Sequence, residues 1–165
     1  MLLLEQFNRC SGEDAAAVLH QCLAIDRWAS QLVGERPFPT LDALLTAANL
    51  AAPGFTEDEL EGALSHHPRI GDRVAGTSTE AGHSRAEQAG VELTDTTLGA
   101  LAAGNLAYEK KFGRVFLIRA LGRGAEEVLE ALNRRLQNTP EHESTVIEEQ
   151  LREIAVGRLR GEIVA

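Results

Sequence analysis

Sulfur, aromatic surface and lysine are all scarce in this chain. Its two cysteines, Cys10 and Cys22, have no metal-ligand spacing, so the sequence offers no thiolate metal site and a reducing cytoplasm is the simplest setting. Seven aromatic residues, and alanine and leucine where a sheet protein would carry valine, isoleucine and threonine, argue against a β fold. No segment approaches the roughly twenty apolar residues that cross a bilayer, and the start lacks the basic n-region of a signal peptide, so the chain is expected to be soluble and unsecreted. The last residues are not a peroxisomal address. Of sixteen basic residues only Lys110 and Lys111 are lysine, and the formal net charge is -9. That balance excludes a general nucleic-acid or anionic-membrane binder and favours a small molecule or a protein as partner. Gly122-Arg123-Gly124 has neither a preceding strand nor a third glycine, so it is no phosphate-cradling loop.

What is present is helical pattern. At 165 residues the chain is expected to form one compact all-α domain of about eight helices, with no substantial sheet. Ser11 caps a helix over residues 15–25 with Val18, Leu19, Cys22 and Ile25 inward, and a short helix over Asp26 to Gly34 carries the lone Trp28 before Pro37 and Pro39 stop it. Thr40 caps the next, with Leu41, Leu44, Leu45 and Ala48 on its inner face, and Thr56 caps one of about two turns. After Thr94 or Asp95 a long helix has the inner stripe Leu98, Leu101, Asn105, Tyr108 and Phe112. Residues 115–118 are an apolar run that reads as a packed linker, since no second strand lies nearby. A helix with Val128, Leu129, Leu132 and Leu136 follows, then a last one from about Glu141. Its stripe Ile147, Leu151, Ile154 continues to Arg158, placing a guanidinium inward or snorkelling at a helix end.

The chemistry concentrates in Leu64-Ser65-His66-His67-Pro68-Arg69-Ile70-Gly71. A residue before proline is pushed out of the helical region, so His67 ends the preceding helix on a pinned backbone, which suits proton transfer. His66 is a shield at most. Residues 73–82 read as a surface loop leading to a second helix start, where Ser84, Glu87 and Gln88 share a face. The first turn of a helix stabilises a carboxylate, so Glu87 can stay ionised to orient His67 or take a substrate proton, while Gln88 can read an amide or urea edge. Ser84 and Glu87 equally match a capping box, a purely structural role. The histidine pair could be an ordinary polar helix end. His66, His67, His83 and Glu87 also permit a zinc or iron site and a metal-dependent hydrolase, although no i, i+4 histidine pair is present. A helical interaction module without catalysis is the third reading.

With these residues in view, the chain resembles the decarboxylases of 2-oxo-4-hydroxy-4-carboxy-5-ureidoimidazoline (OHCU), enzymes of urate breakdown. The resemblance rests on Trp28 with Arg36-Pro37-Phe38, on His67-Pro68-Arg69-Ile70-Gly71, and on Ser84 to Gln88. It continues through Asn105, Tyr108, Lys111-Phe112-Gly113, the 115–118 run and Arg158-Leu159, and departs from the pattern at Arg119. It implies an all-helical, cofactor-free lyase, usually a homodimer, that forms (S)-allantoin and carbon dioxide. It further implies His67 and Glu87 as the catalytic pair, with Pro68, Ser84, Gln88, Phe116, Ile118 and Arg158 around the anionic substrate and no metal.

Overall fold

Hydroxyl side chains set most of the helix starts. The structure, a computed structural model, describes residues 1–71, 82–83, 86 and 94–165. Among them are eight helices: α1 (Leu4–Arg9), α2 (Gly12–Cys22), α3 (Asp26–Gly34), α4 (Leu41–Leu50), α5 (Glu57–Leu64), α6 (Asp95–Phe112), α7 (Ala125–Arg135) and α8 (Pro140–Glu162). Ser11 Oγ accepts from the Asp14 amide at 3.0 Å, Thr40 Oγ1 from Ala43 at 3.1 Å and Thr94 Oγ1 from Thr97 at 3.2 Å. Thr56 and Glu59 form a reciprocal capping box, the Thr56 amide donating to Glu59 Oε2 at 2.8 Å and the Glu59 amide to Thr56 Oγ1 at 3.2 Å.

The packing divides the chain into two compact units, one of residues 1–63 with 151–165 and one of residues 64–150. In the first, β1 (Leu2–Leu3) pairs in parallel with β2 (Ile163–Val164), Leu2 opposite Ile163. Two residues are too few to show a period, which is why the sequence does not signal this pairing. Phe7, Leu19, Trp28, Leu32 and Leu44 are fully buried, and Trp28 satisfies its indole N–H on the Ala48 carbonyl at 2.8 Å. Two arginines close helix ends. Arg36 donates to the Phe7 and Cys10 carbonyls at 2.7 and 3.1 Å, and Arg152 donates to those of Ala51 and Ala52 at 2.5 and 2.8 Å while stacking on Phe55 at 4.3 Å. The last carbonyls of a helix lack partners in the helix, and a guanidinium fork can satisfy two at once.

The core of the second unit is Ile70, Leu101, Tyr108, Phe116, Ile118, Val128 and Leu132. Helices α6 and α7 meet at Gly104, where an added Cβ would clash with Leu132 Cδ2 and lie 3.2 Å from its Cγ. The expected α6 stripe holds at Leu101, Asn105 and Tyr108, with the half-buried Phe112 packed against the same core, but not at Leu98, which is 37% exposed. Helix α2 stops at Cys22, three residues before the expected end, because Leu23 turns to extended geometry. Residues 115–120 carry no regular structure, as expected of a packed linker, and Phe116, Leu117 and Ile118 are buried. In α8, Ile147, Leu151, Ile154 and Arg158 are all buried, so the inward stripe holds to its end. No helix among the described residues is long and apolar enough to cross a membrane.

Candidate active site

The loop that carries His67 begins where α5 runs out. The His67 amide donates back to the Leu64 carbonyl at 2.9 Å, and Pro68 then removes the next backbone donor, so the helix cannot continue. His66 is exposed, whereas His67 and Pro68 are half-buried. Beyond Pro68 the loop lies on α6 through three successive contacts. Arg69 forks onto Glu109, Nε to Oε1 at 2.5 Å and Nη2 to Oε2 at 2.6 Å. Asn105 Nδ2 donates to the Ile70 carbonyl at 3.1 Å. Gly71, at φ +90°, backs onto Leu101. Residues 101, 105 and 109 stand one turn apart on one face of α6 and meet the loop in reverse order. The Arg69 guanidinium holds the Glu109 carboxyl below the usual carboxylate range through these hydrogen bonds.

Two further residues expected at the site, Phe116 and Ile118, lie in the irregular segment 115–120. The Leu117 carbonyl accepts from Arg135 Nη1 at 2.6 Å, and the Arg119 amide donates to Gln150 Oε1 at 2.9 Å. The peptide groups of Phe116 and Ile118 alternate in sequence with these two anchored residues. Among the described residues no hydrogen bond engages those groups. Arg135 is itself held. It pairs with Glu143 at 2.6 Å, lies 4.6 Å over the Phe116 ring, and shares Glu143 with the Tyr108 hydroxyl, all within buried surroundings. Burial, and the Glu143 carboxylate next, push the Tyr108 hydroxyl well above its ordinary pKa, so it stays a neutral donor. Helix α6 therefore contacts both segments, through Asn105 and Glu109 for the His67 loop and through Tyr108 for Phe116.

The remaining residues expected from the sequence divide in two. Arg158 is buried in the first unit, where its charge opposes the effect of burial on Cys22, whose thiol burial and the Glu162 carboxylate push up to about 12. Ser84, Glu87 and Gln88, with most of the loop over residues 73–82, lie outside the described residues. His83 is half-buried, and among the described residues no three metal-ligating side chains come together. A groove in the first unit, lined by Asn8, Arg36, Phe38 and Thr40 among others, contains none of the expected site residues. Arg69, Asn105, Glu109, Arg135 and Gln150 are the supporting groups that sequence reasoning did not assign. The polar interruption Asn105 in an apolar stripe was the signal for one of them.

Comparison with known proteins bears on this arrangement. A family model described as OHCU decarboxylase matches residues 8–160. The chain is 33% identical over 133 residues to the uric acid degradation bifunctional protein TTL of Arabidopsis thaliana, covering 78% of this chain and 40% of that protein. It is 25% identical to the uric acid degradation bifunctional protein of Bacillus sp. (strain TB-90), covering 97% of this chain and 32% of the relative, so it spans well under half the length of these two. A Haloferax volcanii 2-oxo-4-hydroxy-4-carboxy-5-ureidoimidazoline decarboxylase is 24% identical, with 96% of this chain and 94% of the relative aligned. Among solved structures, one of an OHCU decarboxylase in the presence of (S)-allantoin superposes with a TM-score of 0.70 at 26% identity, covering 93% of this chain and 98% of the other.

Proposed function

Because the chain belongs to the OHCU decarboxylase family, with the match running over residues 8–160, we propose that it is a carboxy-lyase converting OHCU to (S)-allantoin and carbon dioxide in urate breakdown. The same span supports reading the 165 residues as one domain of this kind. The observation that carries the reading is this end-to-end match together with an imidazole on a loop pinned at both Arg69 and Ile70.

The chemistry needs no external electron sink. When the bond from C4 to its carboxylate breaks, the electron pair passes into the ring imine, whose nitrogen gains a proton. The C4 hydroxyl then loses its proton to become a ring carbonyl, and C5 gains one, so one proton is taken up overall as carbon dioxide leaves. His67, oriented by Glu87, withdraws the hydroxyl proton, and return of a proton to one face of C5 sets the product's hand. Pro68 and Ser84 wall the site. Gln88 and the free peptide edge of Phe116 and Ile118 grip the urea and ring carbonyls, and Arg158 binds or neutralises the anionic substrate. No metal or other cofactor takes part. The protein acts as a cytoplasmic homodimer, a setting consistent with two unpaired cysteines.

Positioned acid-base catalysis is typically worth about 10² to 10⁴ in rate, so His67→Asn is expected to lose at least about 10² in turnover with an unchanged far-ultraviolet dichroism spectrum. A folded variant with wild-type turnover would remove His67 from the mechanism.

A further inference from the structure

A role for the groups behind His67 presupposes that His67 itself transfers the proton, as proposed for the decarboxylation. The loop that carries it is held to α6 by two polar contacts of different kinds. One is a bidentate ion pair, Arg69 to Glu109, whose side chains are 44% and 23% exposed. The other is a single buried hydrogen bond from Asn105 to the Ile70 carbonyl. A bidentate fork adds geometric specificity as well as energy, so beyond any stabilisation it fixes where the loop sits. Asn105 is 4% exposed, and among the described residues its Oδ1 has no hydrogen-bond partner, so burying this side chain has a cost that an apolar residue would not carry. What asparagine adds at this position is therefore its one bond, to the loop two residues past Pro68.

We propose that Asn105 and Glu109 are positioning residues for the decarboxylation, fixing the imidazole of His67 through Ile70 and Arg69 without touching the substrate. The loop has Pro68 at one end to restrict its backbone and Gly71 in a left-handed conformation at the other. Between them, the contacts to α6 decide where the rigid piece sits. A reacting group displaced by about 1 Å can lose about 10² in rate, so loosening either contact is felt in turnover before it is felt in folding.

The test uses the full chain and OHCU generated in situ, with kcat, KM and melting temperature measured for Asn105→Leu, Glu109→Gln and the charge exchange Arg69→Glu with Glu109→Arg, alongside His67→Asn. Each of the first two variants is expected to lower kcat about tenfold with KM within about twofold. Asn105→Leu removes an amide oxygen with no partner among the described residues but also leaves the Ile70 carbonyl without its donor, so its melting temperature is expected to change little, and kcat should fall at temperatures where the variant is fully folded. The charge exchange should recover most of the kcat lost in Glu109→Gln. Wild-type kcat in Asn105→Leu and Glu109→Gln, or a loss of kcat that only follows a loss of melting temperature, would overturn the proposal while His67→Asn stays inactive. If His67→Asn itself turns over normally, the assignment underneath has failed instead.

Discussion

Glu87 is the residue whose two possible roles make opposite demands. As the third position of a capping box on Ser84 it would stabilise a helix start by about 1 kcal/mol and leave turnover alone, whereas as the orienting base for His67 it would do the reverse. Glu87→Gln is expected to lose turnover with its melting temperature nearly unchanged, and kinetics beside calorimetry on one preparation decide it. The cysteines allow a second residue-scale check. Cys22 is buried and its thiol is pushed up to about 12 by that burial, while Cys10 is only half-buried. The thiolate is the reactive form, so at pH 8 a thiol reagent should label Cys10 alone until the protein is unfolded. Equal labelling of both in the native protein would contradict the burial of Cys22. His67 could be picked out from the sequence because proline chemistry acts on its immediate neighbour. The Arg69 to Glu109 pair could not, since its members lie forty residues apart and nothing local links them.

At the scale of elements, α6 touches both the His67 loop and the 115–120 segment, and it meets α7 at a glycine. A side chain at Gly104 runs into Leu132, and overpacking of this kind typically costs about 1 to 3 kcal/mol. Gly104→Val should therefore lower stability by about 2 kcal/mol in denaturant melts, and truncating Leu132 in the same chain should return part of the loss. The Arg69 to Glu109 clamp also carries a pH signature. Glu109's carboxyl is held below its ordinary 4.5, so its contribution to stability is present above that pH and is lost as the pH falls through the lowered folded value. The stability difference between the wild type and Glu109→Gln should accordingly vanish in acid and persist at neutral pH. Helix existence was legible because Ser11, Thr40, Thr56 and Thr94 announce themselves as caps and the apolar spacing between them is helical. The ends were less so. Leu23 leaves α2 for extended geometry under tertiary packing, and Leu98 sits on the inner stripe by spacing yet is exposed in the first turn of α6. The bonds that anchor Leu117 and Arg119 come from Arg135 and Gln150 on distant helices and were invisible in the run itself.

For the whole molecule, acidic charge, an all-helical build and a family match over residues 8–160 point to one small-molecule reaction. The rival metal-dependent hydrolase predicts that exhaustive chelation abolishes activity, whereas the lyase reading predicts full activity afterwards and no stoichiometric zinc or iron by elemental analysis. The Arabidopsis and Bacillus relatives are much longer than this chain, so activity must be measured on these 165 residues by themselves. The most direct measurement generates OHCU from urate in situ, adds the protein, and follows circular dichroism of the product. The account predicts a rise in the (S)-allantoin signal faster than spontaneous decay, abolished in His67→Asn. An unaccelerated reaction, or accelerated formation of racemic allantoin, would contradict it.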